Sequence, residues 1–223
     1  MGVPSTPGGV PVTQQEIIGE VQRTLSIESR SIDALTRDLD MDAVVRVANA
    51  LKDCRGRIVL SACGTSAMAA KKIAHSLCCI ERPALFLTPS DAVHGALGVL
   101  QPDDVYILIS KGGNTGELTR MIPACKTKGT RLIGVSENPD SVIAKEADIY
   151  LKIKVETEPC RFNMLATAST LAVIATFDAI CIALMQMTNY TREQFAVIHR
   201  RAASATAYWE RSEFNCRKAR RTP

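Results

Sequence analysis

The sequence predicts a three-layer α/β/α sandwich on a five-stranded parallel sheet. Three observations carry this. Five short, apolar, β-rich runs recur along the chain. Stretches with helical spacing separate them, and strands that alternate with helices require right-handed crossovers and a sheet covered on both faces. The 223 residues, 46% hydrophobic and 22% charged, suit one sizeable domain with a real core.

Each element has a local reason. Residues 1–12 are rich in Pro and Gly and are expected to be disordered. They lack a basic n-region and a long apolar core, so they do not read as a secretory signal. Thr13 and Glu16 form a capping box, which opens a helix running toward Ser29. An amphipathic stretch from Met41 leads to Gly56. The runs Arg57–Ala62, Ala84–Thr88, Asp104–Ser110, Arg131–Ser136 and Asp148–Val155 read as the five strands. Helices are expected after Ala62, from "KGGNT" to about Lys128, and over Ser141–Ala147. Two more close the chain, the second opened by a Thr191/Gln194 capping box. The first of these, within Met164–Met187, is long enough for a membrane span. Asp178 lies well inside it and needs a partner, so it reads as a buried core or interface helix, with no membrane role.

Composition narrows the function. Aromatic residues are only 4%, which argues against stacking on single-stranded nucleic acid. The net charge of +4 owes much to the tail Arg217–Pro223, so no nucleic-acid partner is expected. Eight cysteines sit mostly within apolar patterns and read as reduced cytoplasmic thiols. No C-x-x-C pair exists, and no metal site is expected.

Three small-polar loops follow strands: "ACGTSA" (62–67), "ISKGGNTGEL" (109–118) and "SENPDS" (136–141). Helix N-termini present outward N–H groups and a dipole that favours anions, so such loops suit a phosphate. Neither a P-loop nor a dinucleotide fingerprint is present. Ligands in open α/β sheets sit beyond the carboxyl ends of the strands, at the switch point, where the loops after Ala62 and Ile109 are expected to meet.

The order "CGTS", "PSDAVHGALGVLQPDDVYILIS", "SKGGNT", "ENPDSVIAKEADIYL", "EPC", "ATAST" and "REQFAVIH" resembles a sugar isomerase (SIS) domain. More narrowly it resembles the arabinose-5-phosphate isomerase family, over about Met41 to His199. The resemblance implies a flavodoxin-like or Rossmann-like domain over 13–205 with N-terminal helices, a tail over 206–223, and a likeness to members without CBS domains. It implies an aldose–ketose isomerase working through an enediol, with arabinose 5-phosphate and ribulose 5-phosphate as the default pair. No metal or organic cofactor is implied. The implied partner is a small-molecule sugar phosphate, and the implied assembly is a cytoplasmic homotetramer, a dimer of dimers with sites between subunits.

By position, Ser66, Ser110 and Thr115 match phosphate-binding residues, while Glu158, His94 and His199 match polar active-site positions. Gly64, Thr65, Lys111, Gly113 and Asn114 complete the substrate loops. The chain also departs from the family. Thr65 stands where the family has lysine, Gly112 where it has serine, and Asn114 where it has glutamate. Arg200 and Arg201 follow His199 in place of Pro-Gly-Gly. Lys111 is then a candidate for the cation lost at Thr65. Glu158, in a turn before Pro159, and His199 remain as bases, the first open to upward tuning by burial. His75 reads as structural. The alternative reading is a sugar-phosphate sensor without catalysis.

Overall fold

A computed structural model describes residues 12–199. Residues 1–11 of the segment 1–12 expected to be disordered, the tail 206–223, and the two arginines after His199 lie outside the described residues.

Five parallel strands form one sheet: β1 (Ile58–Ala62), β2 (Ala84–Phe86), β3 (Val105–Ile109), β4 (Arg131–Ser136) and β5 (Ile149–Lys152). Their order is β2-β1-β3-β4-β5. Registers pair Ala62 with Ile109 and Ile109 with Val135. Strand order reverses between β1 and β3, so the switch point falls between the loops that leave those strands. The central strands are buried along their length, and only Arg131 at the start of β4 is exposed.

Successive side chains of a strand point to opposite faces, and the core divides accordingly. Ile58, Leu60, Ile107, Ile109, Ile133 and Val135 pack with Leu51, Ile73, Leu77 and Phe177. Those partners come from α2 (Met41–Asp53), α3 (Gly64–Cys78) and α8 (Ala168–Met187), joined by Leu35 of α1 (Gln14–Asp38). On the other face Val59, Tyr106, Leu108 and Leu132 pack with Ala92, Leu118, Ile122, Cys125 and Ile143. These belong to four short helices: α4 (Pro89–Ala92), α5 (Gly116–Thr119), α6 (Ile122–Thr127) and α7 (Val142–Glu146). A further helix, α9 (Arg192–Ile198), follows α8. The layers are those read from the sequence.

Both capping boxes form. The Thr13 hydroxyl accepts from Glu16 N–H at 3.3 Å, and the Glu16 carboxylate accepts from Thr13 N–H at 2.8 Å. Thr191 and Gln194 cap α9 in the same way. Several boundaries differ from expectation. α1 runs past Ser29 to Asp38, because Leu35 reaches the core, and Ser31 satisfies its hydroxyl on the Ile27 carbonyl. The helix expected to reach Lys128 unbroken is split into α5 and α6. Pro123 has no N–H to donate to the preceding turn, so it sits instead in the first turn of a new helix. β2 stops at Phe86, and Thr88 with Pro89 begins α4, which the sequence had not signalled. A 3-10 turn over Ala96–Val99 completes that connection.

α8 is long and apolar enough by length and composition to cross a membrane. Here it packs on α1, α2 and α3, burying Phe177, Ile180 and Leu184, while Ile182 is 67% exposed on its outer side. Asp178 finds its partner in Lys72 of α3.

Candidate active site

The first wall of the site is the N-terminus of α3. Cys63 occupies the cap position but offers no side-chain hydrogen bond to the helix. The first backbone bond back to this cap comes from Ala67, whose N–H reaches the Cys63 carbonyl at 3.3 Å. The N–H groups of Gly64, Thr65 and Ser66 therefore have no acceptor among the described residues, as helix geometry requires of an uncapped start. Gly64 has φ +58, a left-handed turn that glycine adopts at little cost, and its missing Cβ faces open space. Thr65 is exposed and Ser66 half-buried, and neither hydroxyl is hydrogen-bonded among the described residues. Burial, with help from the Glu117 carboxylate, pushes the Cys63 thiol up, so it is a weak nucleophile.

The second wall is the loop after β3. Ser110 is buried, and its hydroxyl lies 2.8 Å from that of Thr115. It also accepts from Gly113 N–H at 3.1 Å. Gly113 has φ +72, and a Cβ there would fall 2.1 Å from Ser141 Oγ. Three bonds tie this loop to the one after β4. Glu137 N–H donates to the Lys111 carbonyl (2.9 Å) and Ile143 N–H to the Gly113 carbonyl (3.1 Å). The third runs from Val142 N–H to Asn114 Oδ1 at 2.9 Å. Asn114, expected to face a ligand, thus uses its carbonyl oxygen on the start of α7. The loop "SENPDS" is a brace. Ser141 caps α7 and meets Ser136 at 3.2 Å.

The third component is Glu158, between β5 and α8. The upward tuning that burial offers at this turn is outweighed here. Glu158 is 2% exposed. Its Oε1 accepts from Lys111 Nζ at 2.7 Å, and its Oε2 from the N–H groups of Thr167 (3.0 Å) and Ser169 (3.4 Å), at the start of α8. Burial pushes the carboxyl up, but Lys111, Ser169 and Thr167 together outweigh it and hold it below its usual range. Asn163 fixes the turn from outside. It adopts φ 53, and its Oδ1 accepts from Glu158 N–H at 2.7 Å. Sequence reasoning missed Asn163, Thr167 and Ser169. The available signal was Asn163, since asparagine tolerates left-handed backbone better than other side chains that are not glycine.

Gly64, Thr65, Ser66, Ser110, Lys111, Gly113, Asn114, Thr115 and Glu158 therefore gather at the carboxyl edge of the sheet. His199 does not join them in one chain. His94 is exposed after α4, and its side chain makes no hydrogen bond among the described residues. His199 stacks on Phe195 with ring centroids 3.7 Å apart, and its Nδ1 lies 3.1 Å from the Phe195 carbonyl. Its helix α9 starts beside the α3–β2 turn, where Tyr190 Oη donates to the Cys79 carbonyl and Gln194 to Glu81. That turn is at the opposite edge of the sheet.

Known proteins are similar to this chain in sequence and fold. The SIS domain family model matches residues 50–199. Arabinose 5-phosphate isomerase KpsF of Escherichia coli O6:H1 (strain CFT073) is 34% identical over 183 residues, 82% of this chain and 56% of that protein. Arabinose 5-phosphate isomerase KdsD of Pseudomonas aeruginosa is 34% identical over 184 residues, with the same shares. The chain thus spans about half the length of the curated relatives it matches. Among solved structures, a candidate sugar-phosphate isomerase from Listeria monocytogenes is 58% identical with a TM-score of 0.84, over 85% of this chain and 100% of that one. An E. coli CFT073 protein solved in complex with arabinose 5-phosphate is 27% identical with a TM-score of 0.80, over 84% of this chain and 100% of that one.

Proposed function

The chain belongs to the SIS domain family, and on that premise we propose that it is a phosphosugar isomerase interconverting arabinose 5-phosphate and ribulose 5-phosphate. One observation carries the reading. An uncapped helix N-terminus faces a braced hydroxyl cluster, and a buried ionised carboxylate is joined to that cluster through Lys111. The names of the curated relatives and the sugar-phosphate complex of the E. coli protein supply the sugar.

In this reading the N–H groups of Gly64, Thr65 and Ser66 and the hydroxyls of Ser66, Ser110 and Thr115 hold the phosphate. Gly113 keeps that wall tight, and Lys111 supplies the positive charge that Thr65 does not. Glu158 is the base. It takes the proton from the carbon beside the carbonyl, and that electron pair forms the enediol double bond as the carbonyl oxygen gains a proton. A proton then returns to the neighbouring carbon while the second hydroxyl loses its own, giving the ketose. No external oxidant or reductant is needed.

His94 and His199 serve the proton transfers at oxygen. His199 reaches the site from a second copy, because its own chain holds it at the far edge. We propose the homotetramer, a dimer of dimers, for this reason. Ile17, Val21 and Leu25, at i, i+4 and i+8 of α1, are exposed and share one side of that helix, and this supports association. The working domain is 13–205 and the compartment the cytoplasm, a reading supported by the free state of the described cysteines.

The test is incubation in D2O with pentose and hexose phosphates, followed by proton NMR. Deuterium should enter beside the carbonyl of arabinose 5-phosphate. Binding without exchange of any sugar phosphate would overturn the isomerase and leave a sensor.

A further inference from the structure

The pair between Lys111 and Glu158 is arranged asymmetrically. The Glu158 side chain is fully enclosed, whereas that of Lys111 is 36% exposed. A solute can therefore reach the cation and not the carboxylate. The two oxygens of Glu158 differ as well. Oε2 is held by two backbone N–H groups at the start of α8. Among the described residues the hydrogen-bond partner of Oε1 is Lys111 alone. Lys111 thus occupies the oxygen that would otherwise be available to accept a proton.

We propose that Lys111 is a latch: its ammonium moves from Glu158 Oε1 to the phosphate of an arriving sugar phosphate, and the oxygen it leaves becomes the proton acceptor. This deepens the phosphosugar reading and rests on it.

Three features make the transfer feasible. The backbone of Lys111 is pinned on both sides. Ser110 N–H donates to the Val135 carbonyl at 3.0 Å, and the Lys111 carbonyl accepts from Glu137 at 2.9 Å. Only the side chain has to swing, and lysine is a compact charge on a flexible four-carbon stem. Lys111 directly follows Ser110, whose hydroxyl belongs to the proposed phosphate wall. Glu158 is not stranded when the cation leaves, because the N–H groups and the dipole at the α8 N-terminus continue to support its charge. A base masked by lysine is thereby exposed only when a phosphate is in place, which couples proton abstraction to binding of the correct substrate class.

The test uses inorganic phosphate, so it needs no turnover. Titration calorimetry should show affinity about tenfold weaker in Lys111→Met, the scale of one charged hydrogen bond. Glu158→Gln should bind phosphate about tenfold more tightly, because Lys111 no longer leaves a carboxylate. In Lys111→Met/Glu158→Gln that gain should vanish. A gain that persists in the double variant would mean simple removal of a negative charge and would overturn the latch, as would unchanged affinity in Lys111→Met.

If Glu158→Gln does not fold, the wild-type protein still decides. The 15Nζ resonance of Lys111, assigned by its loss in Lys111→Arg, and the carboxyl carbon of Glu158 should both move at phosphate saturation. Immobile resonances would overturn the proposal. Deuterium exchange into arabinose 5-phosphate without any of these effects would keep the isomerase and remove the latch. The phosphate effects without exchange would keep the lysine transfer and remove the isomerase.

Discussion

The loop after β1 and the loop after β3 leave neighbouring strands at the same edge, yet they are built in opposite ways. In the first, Thr65 and Ser66 have no side-chain partners among the described residues and no side chain caps α3. In the second, Ser110, Gly113, Asn114 and Thr115 are all engaged inside the protein, and the loop is tied to its neighbour by three bonds. The difference separates two tasks. Unpaired groups gain most from a ligand, because binding gives them partners they lack. Groups already paired instead hold a shape, which lowers the ordering cost of binding. A phosphate pocket made only of the first kind would be loose, and one made only of the second would have little left to offer.

This contrast can be broken most severely at the two left-handed glycines. Gly113→Ala places a Cβ against Ser141 on a left-handed backbone. A loss of about 3 kcal/mol is expected, or a fall in Tm of about 6–12 °C by calorimetry. Gly64→Ala, with a similar backbone angle but open space around it, should cost only about 1 kcal/mol. Equal losses at the two positions would erase the distinction between braced and open loops.

The next effect is on acid stability. The folded carboxyl of Glu158 lies below its ordinary value near 4.5. Its contribution is therefore fully present above that value and is lost as the pH falls through the lower folded one. Below pH 4.5 wild type should lose stability more steeply than Glu158→Gln in denaturant titrations. Parallel curves would mean that the buried pair does not favour the ionised form.

Ser66→Ala should sharpen the comparison. Removing an unpaired hydroxyl should weaken phosphate binding about tenfold and leave Tm unchanged. Asn114→Ala should do the reverse on a smaller scale, costing about 1 kcal/mol of stability through the lost acceptor at the start of α7, with little change in phosphate affinity. If Asn114→Ala weakened binding more than Ser66→Ala, the roles of the two loops would be reversed.

Much of the frame was legible because its causes are local. Runs such as "YILI" and "RLIGVS" can satisfy their backbone only within a sheet, and the T-x-x-E and T-x-x-Q boxes mark helix starts within four residues. The two hydroxyl-rich turns were found for the same reason. What escaped was set by residues distant in the chain. The burial of Glu158 depends on Lys111, 47 positions earlier, and Asn114 serves a helix 28 positions later. No periodicity records such pairs, so the lysine that outweighs the burial of Glu158 could not be named from the sequence. The break between α5 and α6 is different, because Pro123 signalled it in the sequence. The place of His199 is a matter of topology, which brings α9 to the amino edge of the sheet after α8 has crossed the domain.

The most direct measurement is an amide NMR titration of the full chain with arabinose 5-phosphate and, separately, with inorganic phosphate. Both should shift the N–H resonances of Gly64, Thr65, Ser66 and Thr115 together along one saturating curve. Shifts confined to the groove lined by Arg23, Arg161 and Phe162, with the two strand-end loops unmoved, would contradict a phosphate site between them.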